Sequence, residues 1–193
     1  MNHDDEIRAF VAIPLPSQVI NYLTEMISNL KQVFPEDSMK WVHHANIHLT
    51  LQFLGNISKS TMNFLIDKLE TDHQFCSFDL TMNKLGAFPS VYKPQVLWVG
   101  TTNHQILMDL YKFIQKTTSP LIDDNDNKTF SPHLTIARLR PGVKKEKIEC
   151  IKQELYKRKD ITPISFTITH FCLYQSTLTS KGPIYSELRR YSL

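Results

Sequence analysis

Two short segments that share one alternating pattern constrain the fold of this chain most. Residues 48–51 read His-Leu-Thr-Leu, and residues 133–136 read His-Leu-Thr-Ile, 85 positions further along. Because successive side chains of a β-strand point to opposite faces, the histidine and the threonine of each segment are predicted to share one face. In the first strand, the residues predicted to face the core are Ile47, Leu49, Leu51 and Phe53. Each segment is therefore predicted to present one imidazole and one hydroxyl side by side.

A second repeat indicates that these segments belong to duplicated halves. Residues 78–81 (Phe-Asp-Leu-Thr) resemble residues 166–169 (Phe-Thr-Ile-Thr), and the offset of 88 is close to the first offset of 85. Two near-equal offsets favour an internal duplication of strand–helix units over one motif that occurs twice. A pseudo-twofold axis between such halves would bring the two histidine-bearing strands to a single cleft.

Strands and helices are predicted in two similar blocks. Strands are predicted at 7–13, 46–53, 78–85, 95–100, from about 133, at 164–174 and at 185–191. Helices are predicted from Ser17 to before Pro35, after Ser58, around 106–114 and around 148–155, where apolar residues recur at three- and four-residue steps. Because strands and helices do not alternate strictly, we expect an α+β fold. Its two pseudo-twofold lobes of antiparallel sheet would carry helices on their outer faces and enclose a central cleft.

Length and composition favour one domain. The 193 residues are 41% hydrophobic and 21% charged, which suits a single domain over 1–193 with one lobe per motif. A net charge of +3 would help to attract phosphate but is below that of a duplex-binding face. The acidic start is unlike a signal peptide, and no stretch approaches the roughly 20 apolar residues of a spanning helix. We expect a cytoplasmic monomer with no membrane contact, in which Cys76, Cys150 and Cys172 stay reduced.

The paired histidines and threonines suit hydrolysis of a cyclic phosphodiester. Water must lose a proton as it attacks phosphorus, and the departing ribose oxygen must gain one. Histidine, with a reference pKa of about 6.5, can serve either need near neutral pH. These residue types predict His48 and His133 as the acid–base pair and Thr50 and Thr135 as donors to the phosphate oxygens, without metal or cofactor. They do not say which histidine is the acid.

Three further residues are candidates for substrate contact. Strict alternation from His133 would point Arg138 to the opposite face, unless a bulge or the strand end redirects it. A phosphate contact and a structural ion pair both remain open for this arginine. Phe10 and Tyr185 are candidates for stacking on a terminal base, with packing as the alternative. Lys181 is a candidate for contact with RNA phosphates, with a solvated side chain as the alternative.

A metal site near the first motif is the alternative to acid–base catalysis. His43 and His44 precede His48 closely, but zinc sites draw three or four ligands, and no cysteine lies nearby. In an extended segment the side chains of His43 and His44 would also point apart. We therefore predict no metal site.

These motifs resemble those of the two-histidine (2H) phosphoesterase superfamily, which is named for its paired H-x-T/S-x motifs. The chain is most similar to the bacterial and archaeal RNA 2',3'-cyclic phosphodiesterases, also described as the 2'-5' RNA ligase family. The resemblance covers nearly the whole chain. Beyond the motifs it is carried by residues 8–14 and Pro16, 41–42, 53–55, Pro132, Arg138, 173–176 and 182–185.

The resemblance implies a reaction and roles for the two histidines. It implies hydrolysis of an RNA 2',3'-cyclic phosphate to a 2'-phosphomonoester, with O3' leaving, and allows weak reversible 2'-5' ligation. His48 would be the proton donor and His133 the base that activates water, and ligation would exchange these roles. The alternatives are a phosphodiesterase of small cyclic nucleotides or 2'-5' oligonucleotides, and a non-catalytic nucleotide- or RNA-binding module.

Overall fold

The structure is a computed structural model that describes residues 6–71, 75–102, 105–122, 129–180 and 182–193. The polar run at 123–127 and Lys181 lie outside these ranges. The strands within them are β1 (Glu6–Pro14), β2 (Met39–Trp41), β3 (His48–Ser58), β4 (Phe78–Ser90), β5 (Lys93–Thr101), β6 (His133–Leu139), β7 (Asp160–Ile168), β8 (His170–Thr179) and β9 (Gly182–Ser192). The helices are α1 (Ser17–Val33), α2 (Lys59–Thr71), α3 (Gln105–Thr118) and α4 (Lys145–Lys157).

The strands form one antiparallel sheet that consists of two halves. The strand order is β7-β4-β5-β6-β3-β1-β8-β9, and β2 pairs with β6. We call β3, β1, β8 and β9 the first half, and β6, β5, β4 and β7 the second half. The halves meet where β3 pairs with β6, at Leu49 and Leu134. The α+β fold with two antiparallel halves is confirmed.

The helices cover the two halves in a way that fits the predicted pseudo-twofold relation. α2 and α3 contact each other and strands of the first half. α4 contacts β5 of the second half, and Tyr22 Oη of α1 donates a hydrogen bond to the Thr162 carbonyl oxygen of β7. The apolar stripes of α1 and α3 are buried, which is how a helix stabilises its position on a sheet. The buried side chains of these stripes are Val19, Leu23, Ile27, Leu30, Leu107, Leu110 and Ile114. None of the described helices is long and apolar enough to cross a membrane.

The strand predicted at 164–174 is wrong as a single element. β7 ends at Ile168 and β8 begins at His170, so only Thr169 lies between them. β7 forms the outer edge of the second half, whereas β8 lies inside the first half. The residues on both sides of Thr169 favour strands, so the sequence gives no sign that the chain crosses from one half to the other there.

The equivalence of residues 78–81 and 166–169 is also wrong. β4 and β7 are hydrogen-bonded neighbours within the second half, with Phe78 opposite Ile168 and Leu80 opposite Phe166. The two segments look alike because paired strands bury the same face of one sheet. The strand of the first half that is equivalent to β4 is β8, because β8 lies next to β1 as β4 lies next to β5.

Candidate active site

The register of the two central strands brings both motifs together. Leu49 pairs with Leu134, and both side chains are fully buried on the face that packs against the core. One step to either side, antiparallel pairing puts His48 opposite Thr135 and Thr50 opposite His133. All four side chains then point away from the core, and the two histidines are diagonal neighbours. In paired antiparallel strands the Cα atoms of diagonal neighbours are typically about 7–8 Å apart.

The two histidines hold the same hydrogen bond. His48 Nδ1 lies 2.9 Å from the Asn46 carbonyl oxygen, and His133 Nδ1 lies 2.7 Å from the Ser131 carbonyl oxygen. A carbonyl oxygen can only accept, so in both rings the Nδ1–H donates. Each neutral imidazole therefore keeps Nε2 as a free acceptor on the opposite side of the ring, and its orientation is fixed by the residue two positions earlier.

An aromatic cluster surrounds His48. Its ring stacks on Phe10, with centroids 4.9 Å apart, and meets the edge of Tyr185 at 5.3 Å. Phe10 in turn stacks on Tyr174 at 5.3 Å. Burial lowers the pKa of His48 to about 4, against the opposing effect of the Asn46 hydrogen bond, and the nearby His133 lowers this pKa further. His48 is therefore neutral in the ligand-free protein at neutral pH.

The surroundings of His133 are more open. The Phe88 ring meets its imidazole edge-on, with centroids 4.8 Å apart. Burial lowers the pKa of His133, its hydrogen bond to Ser131 opposes that shift, and the charge of Arg138 lowers the pKa further. Both histidines thus have pKa values below the ordinary one, and an anionic ligand between them would raise both.

The hydroxyls of Thr50 and Thr135 are available to a ligand. Both side chains are partly buried. Within the described part of the chain, neither hydroxyl makes a hydrogen bond. Each can therefore donate to an oxygen atom bound between the histidines.

A large indole lies beside Thr135 on the same face. Trp98 of β5 pairs with Thr135. A Cβ atom at Gly86 would lie 2.3 Å from the Trp98 ring, and one at Gly100 would lie 2.8 Å from it. The two glycines therefore let the indole lie flat across neighbouring strands. No motif in the sequence marks Trp98, because its pairing with a motif residue follows from the register of β5 and β6.

Extra residues in the two central strands reverse the alternation of side chains. The register with β1 skips Leu51 and, after Phe53, also Leu54 of β3, and the register with β5 skips Ile136 of β6. Such a bulge transfers the residues beyond it to the other face. Phe53, predicted to face the core, is therefore 64% exposed, so that prediction is wrong. By the same device Arg138 comes to the face of His133, which is the redirection that the sequence left open.

Two guanidinium groups approach Tyr185. Burial raises the pKa of this phenol, and the charges of Arg138 and Arg8 both lower it. Arg8 and Arg138 are exposed, and within the described residues neither forms an ion pair with a carboxylate. The sequence marks Arg8 only as part of the family resemblance, because the residues near position 8 do not show that Tyr185 of β9 lies close to it.

The histidines before the first motif pack on each other. The rings of His43 and His44 lie 4.1 Å apart, so the prediction that they point apart is wrong. A short 3-10 turn begins at His44 and replaces the assumed extended backbone. Among the described residues, no three histidine, cysteine or acidic side chains converge on a point that could hold a metal ion.

Comparison with known proteins assigns the chain to a family. The family model described as LigT-like phosphoesterase matches residues 13–98 and 125–185, which include both motifs and more than half of the chain. The chain belongs to the LigT-like phosphoesterase family. The resemblance to 2H phosphoesterases that the motifs predicted is thereby confirmed.

Relatives within the LigT-like family agree over almost the full length. Proteins named RNA 2',3'-cyclic phosphodiesterase from Thermotoga maritima and Aquifex aeolicus are each 33% identical to this chain. The matches cover 94% and 97% of this chain, and 93% and 97% of those proteins. A crystal structure of LigT from Escherichia coli in complex with 3'-AMP has a TM-score of 0.77 at 25% identity, and covers 98% of this chain and 99% of that one.

Proposed function

We propose that this chain hydrolyses the 2',3'-cyclic phosphate at an RNA end to a 2'-phosphomonoester. The observation that carries the proposal is the block of two imidazoles and two hydroxyls on one face of β3 and β6. The typical Cα spacing of diagonal neighbours, about 7–8 Å, allows two imidazoles to flank one phosphate. The names of the relatives from Thermotoga maritima and Aquifex aeolicus support the substrate.

In the proposed reaction, protons move through the Nε2 atoms. His133 Nε2 takes a proton from water as the water oxygen bonds to phosphorus. The bond between phosphorus and O3' breaks, and protonated His48 gives the proton on its Nε2 to O3'. The pair ends with His133 protonated and His48 neutral, so a proton exchange with solvent restores the starting state. Each proton transfer is of the kind that contributes about 10²- to 10⁴-fold to the rate.

The hydroxyls and the cation are proposed to bind the phosphate itself. Thr50 and Thr135 would donate to the two non-bridging oxygens, on which negative charge increases as water attacks. Arg138 lies close enough to lower the pKa of His133, and its charge would add attraction for the anion. Two imidazoles supply both proton transfers, so this scheme requires no metal. With the 5'-hydroxyl of a second RNA in place of water, the same steps would form a 2'-5' phosphodiester and release O3'. The two histidines would keep their roles in that joining step, so the expected exchange of roles would not occur.

Phe10 and Tyr185 are proposed to differ in role. Phe10 is 2% exposed and has His48 and Tyr174 against its ring, so it holds the imidazole in position. Tyr185 is only partly buried and borders the same histidine. It is the ring of this pair that can still offer a surface to the terminal base.

A product assay tests the proposed function. The purified protein is incubated with EDTA and an RNA that ends in a 2',3'-cyclic phosphate, and the phosphate isomer is identified. A 2'-phosphate is expected. A 3'-phosphate would overturn the assignment of the leaving group, and loss of turnover in EDTA would point to a metal. Turnover of small cyclic nucleotides alone would favour the alternative substrate class, and no turnover of either would favour a binding module.

The pKa shifts predict an acidic optimum for kcat/KM. The pH dependence of kcat/KM reports the protonation of the free enzyme, which is active when the two histidines together hold one proton. Because both pKa values lie below 6.5, the singly protonated pair becomes scarcer above that pH, and kcat/KM should fall about tenfold per unit. Bound phosphate raises both pKa values, so the alkaline limb of kcat should lie at higher pH than that of kcat/KM.

The two pH profiles are measured from pH 4 to 9 at constant ionic strength, with NMR titration of the imidazole protons in the ligand-free protein beside them. A kcat/KM that stays level from pH 6 to pH 8 would contradict the prediction. So would a ligand-free His48 that still titrates near its reference pKa of about 6.5.

A further inference from the structure

A pocket lies along β3 beyond the proposed catalytic residues, towards the end of the strand that is remote from His48. It has a volume of about 450 Å³ and is lined by residues 53–56 and by residues 120–122 after α3. We call it the β3-end pocket. Pockets that hold small organic groups span about 300–1,000 Å³, so this volume is sufficient for a nucleobase.

The aromatic wall of the β3-end pocket is Phe53. Its side chain is 64% exposed. Phe53 pairs with Phe10, which stacks on His48, so the Phe53 ring lies on the sheet face that carries the histidines. The Phe53 ring is 6.2 Å from the Phe10 ring, which is 4.9 Å from the His48 ring. Two ring contacts therefore join the pocket to His48. Tyr185 contacts His48 directly and is the nearer aromatic surface.

A cation lies between the β3-end pocket and Tyr185. Arg8 of β1 pairs with Asn56, which lines the pocket. On the other side of β1, Ala9 pairs with Gln175 of β8, so Arg8 lies next to Ser176. Ser176 in turn pairs with Tyr185 of β9. Among the described residues, Arg8 has no carboxylate partner. Its exposed guanidinium lies on the row that runs from Asn56 to Tyr185, where a cation would attract a phosphodiester.

We propose that the β3-end pocket binds the nucleotide that precedes the cyclic phosphate, with its base on Phe53 and the connecting phosphodiester at Arg8. This inference rests on the proposed function and adds a substrate class to it, RNA of at least two nucleotides. The order along the cleft is then the histidines, Tyr185 for the terminal base, Arg8 for the connecting phosphate and Phe53 for the next base. Stacking on an aromatic ring tolerates every base, so the pocket selects for length more than for sequence.

The test compares a mononucleotide with a dinucleotide. kcat/KM is measured for 2',3'-cyclic AMP and for the dinucleotide ApA that carries a 2',3'-cyclic phosphate. We expect the dinucleotide to have a kcat/KM at least about 10-fold higher, as one stacked base typically provides. Phe53→Ala should lower the dinucleotide value about 10-fold, mainly through KM, and leave the mononucleotide value unchanged. Arg8→Gln should likewise lower kcat/KM for the dinucleotide. Phe53→Tyr should retain the higher kcat/KM for the dinucleotide, because tyrosine keeps an aromatic ring.

Phe64→Ala is the matched control, because Phe64 is also an exposed phenylalanine, at 49%, but lies on α2. This variant should leave kcat/KM unchanged for both substrates. Equal kcat/KM values for the two substrates in the unmodified protein would refute the pocket while leaving the proposed function intact. An equal loss on both substrates in Phe53→Ala would assign the ring to the terminal base instead. No turnover of either substrate would refute the proposed function and the pocket with it.

Discussion

The substitution His133→Ala is expected to lower kcat for an RNA 2',3'-cyclic phosphate by at least about 100-fold, and His48→Ala should have an effect of the same order. Each removes one of the two proton transfers that the proposed reaction needs, and water replaces a positioned imidazole poorly. Because the histidines are proposed to act as a pair, the double variant should lose little more than either single variant. Steady-state kinetics with one RNA substrate measure all three.

His44→Ala is the control for these variants. His44 is exposed, lies four residues before His48 and belongs to neither motif. Its variant should retain full activity, and circular dichroism and thermal melting should show that all the variants remain folded. Unimpaired turnover in either His48→Ala or His133→Ala would rule out the paired mechanism. A loss in His44→Ala as large as in His48→Ala would instead revive a role for the first histidine cluster.

Thr135→Val should lower kcat by about 100-fold, as removal of one preorganised donor to a developing oxyanion typically does. Valine has nearly the shape of threonine, so the change removes the hydroxyl and leaves the packing beside Trp98. Thr135→Ser keeps the hydroxyl and should retain most of the activity. The same pair of substitutions at Thr50 tests the other half of the sheet.

The contrast between valine and serine is the decisive measurement for these threonines. If both variants at position 135 lose activity to the same extent, the methyl group and its packing matter, and the hydroxyl does not bind phosphate. A change confined to KM would mean that the hydroxyl binds ground state and transition state equally.

The site could be predicted from sequence wherever local alternation decides the outcome. His48 and Thr50 share a face because two residues separate them on a regular strand, and the same holds for His133 and Thr135. Their convergence followed from the repeat at an offset of 85, which the pairing of Leu49 with Leu134 bears out. Periodicity likewise located the described helices, because each has one apolar stripe.

The sequence did not reveal what depends on the bulges. Leu51 and Ile136 are ordinary apolar residues in apolar runs, and only the pairing with β1 and β5 makes each of them extra. For that reason the alternation in the sequence predicts that Phe53 faces the core, and it leaves open which face of the sheet Arg138 occupies. The bulges at Leu51 and Ile136 are also 85 positions apart, so this part of the structure repeats where the residue types give no sign of it.

The sequence also did not reveal which strands are neighbours in the sheet. A short strand such as β2, with three residues, is below the length at which alternation can be recognised. The likeness of residues 78–81 to residues 166–169 arose from direct pairing, and sequence similarity alone cannot distinguish two paired strands from two equivalent ones. Burial of Phe10 against His48 and Tyr174 is also set by partners that are remote along the chain.

The crossing at Thr169 determines when the cleft can assemble during synthesis. β3 and β1 of the first half come early in the chain, but β8 and β9, which complete that half, follow every strand of the second half. The nascent chain must therefore hold β1 with one edge unpaired until residues 170–192 have been made. Such long-range pairing is slow to form, and exposed strand edges promote aggregation meanwhile. A chain cut at residue 169 would keep both histidines yet lose the strands that support His48.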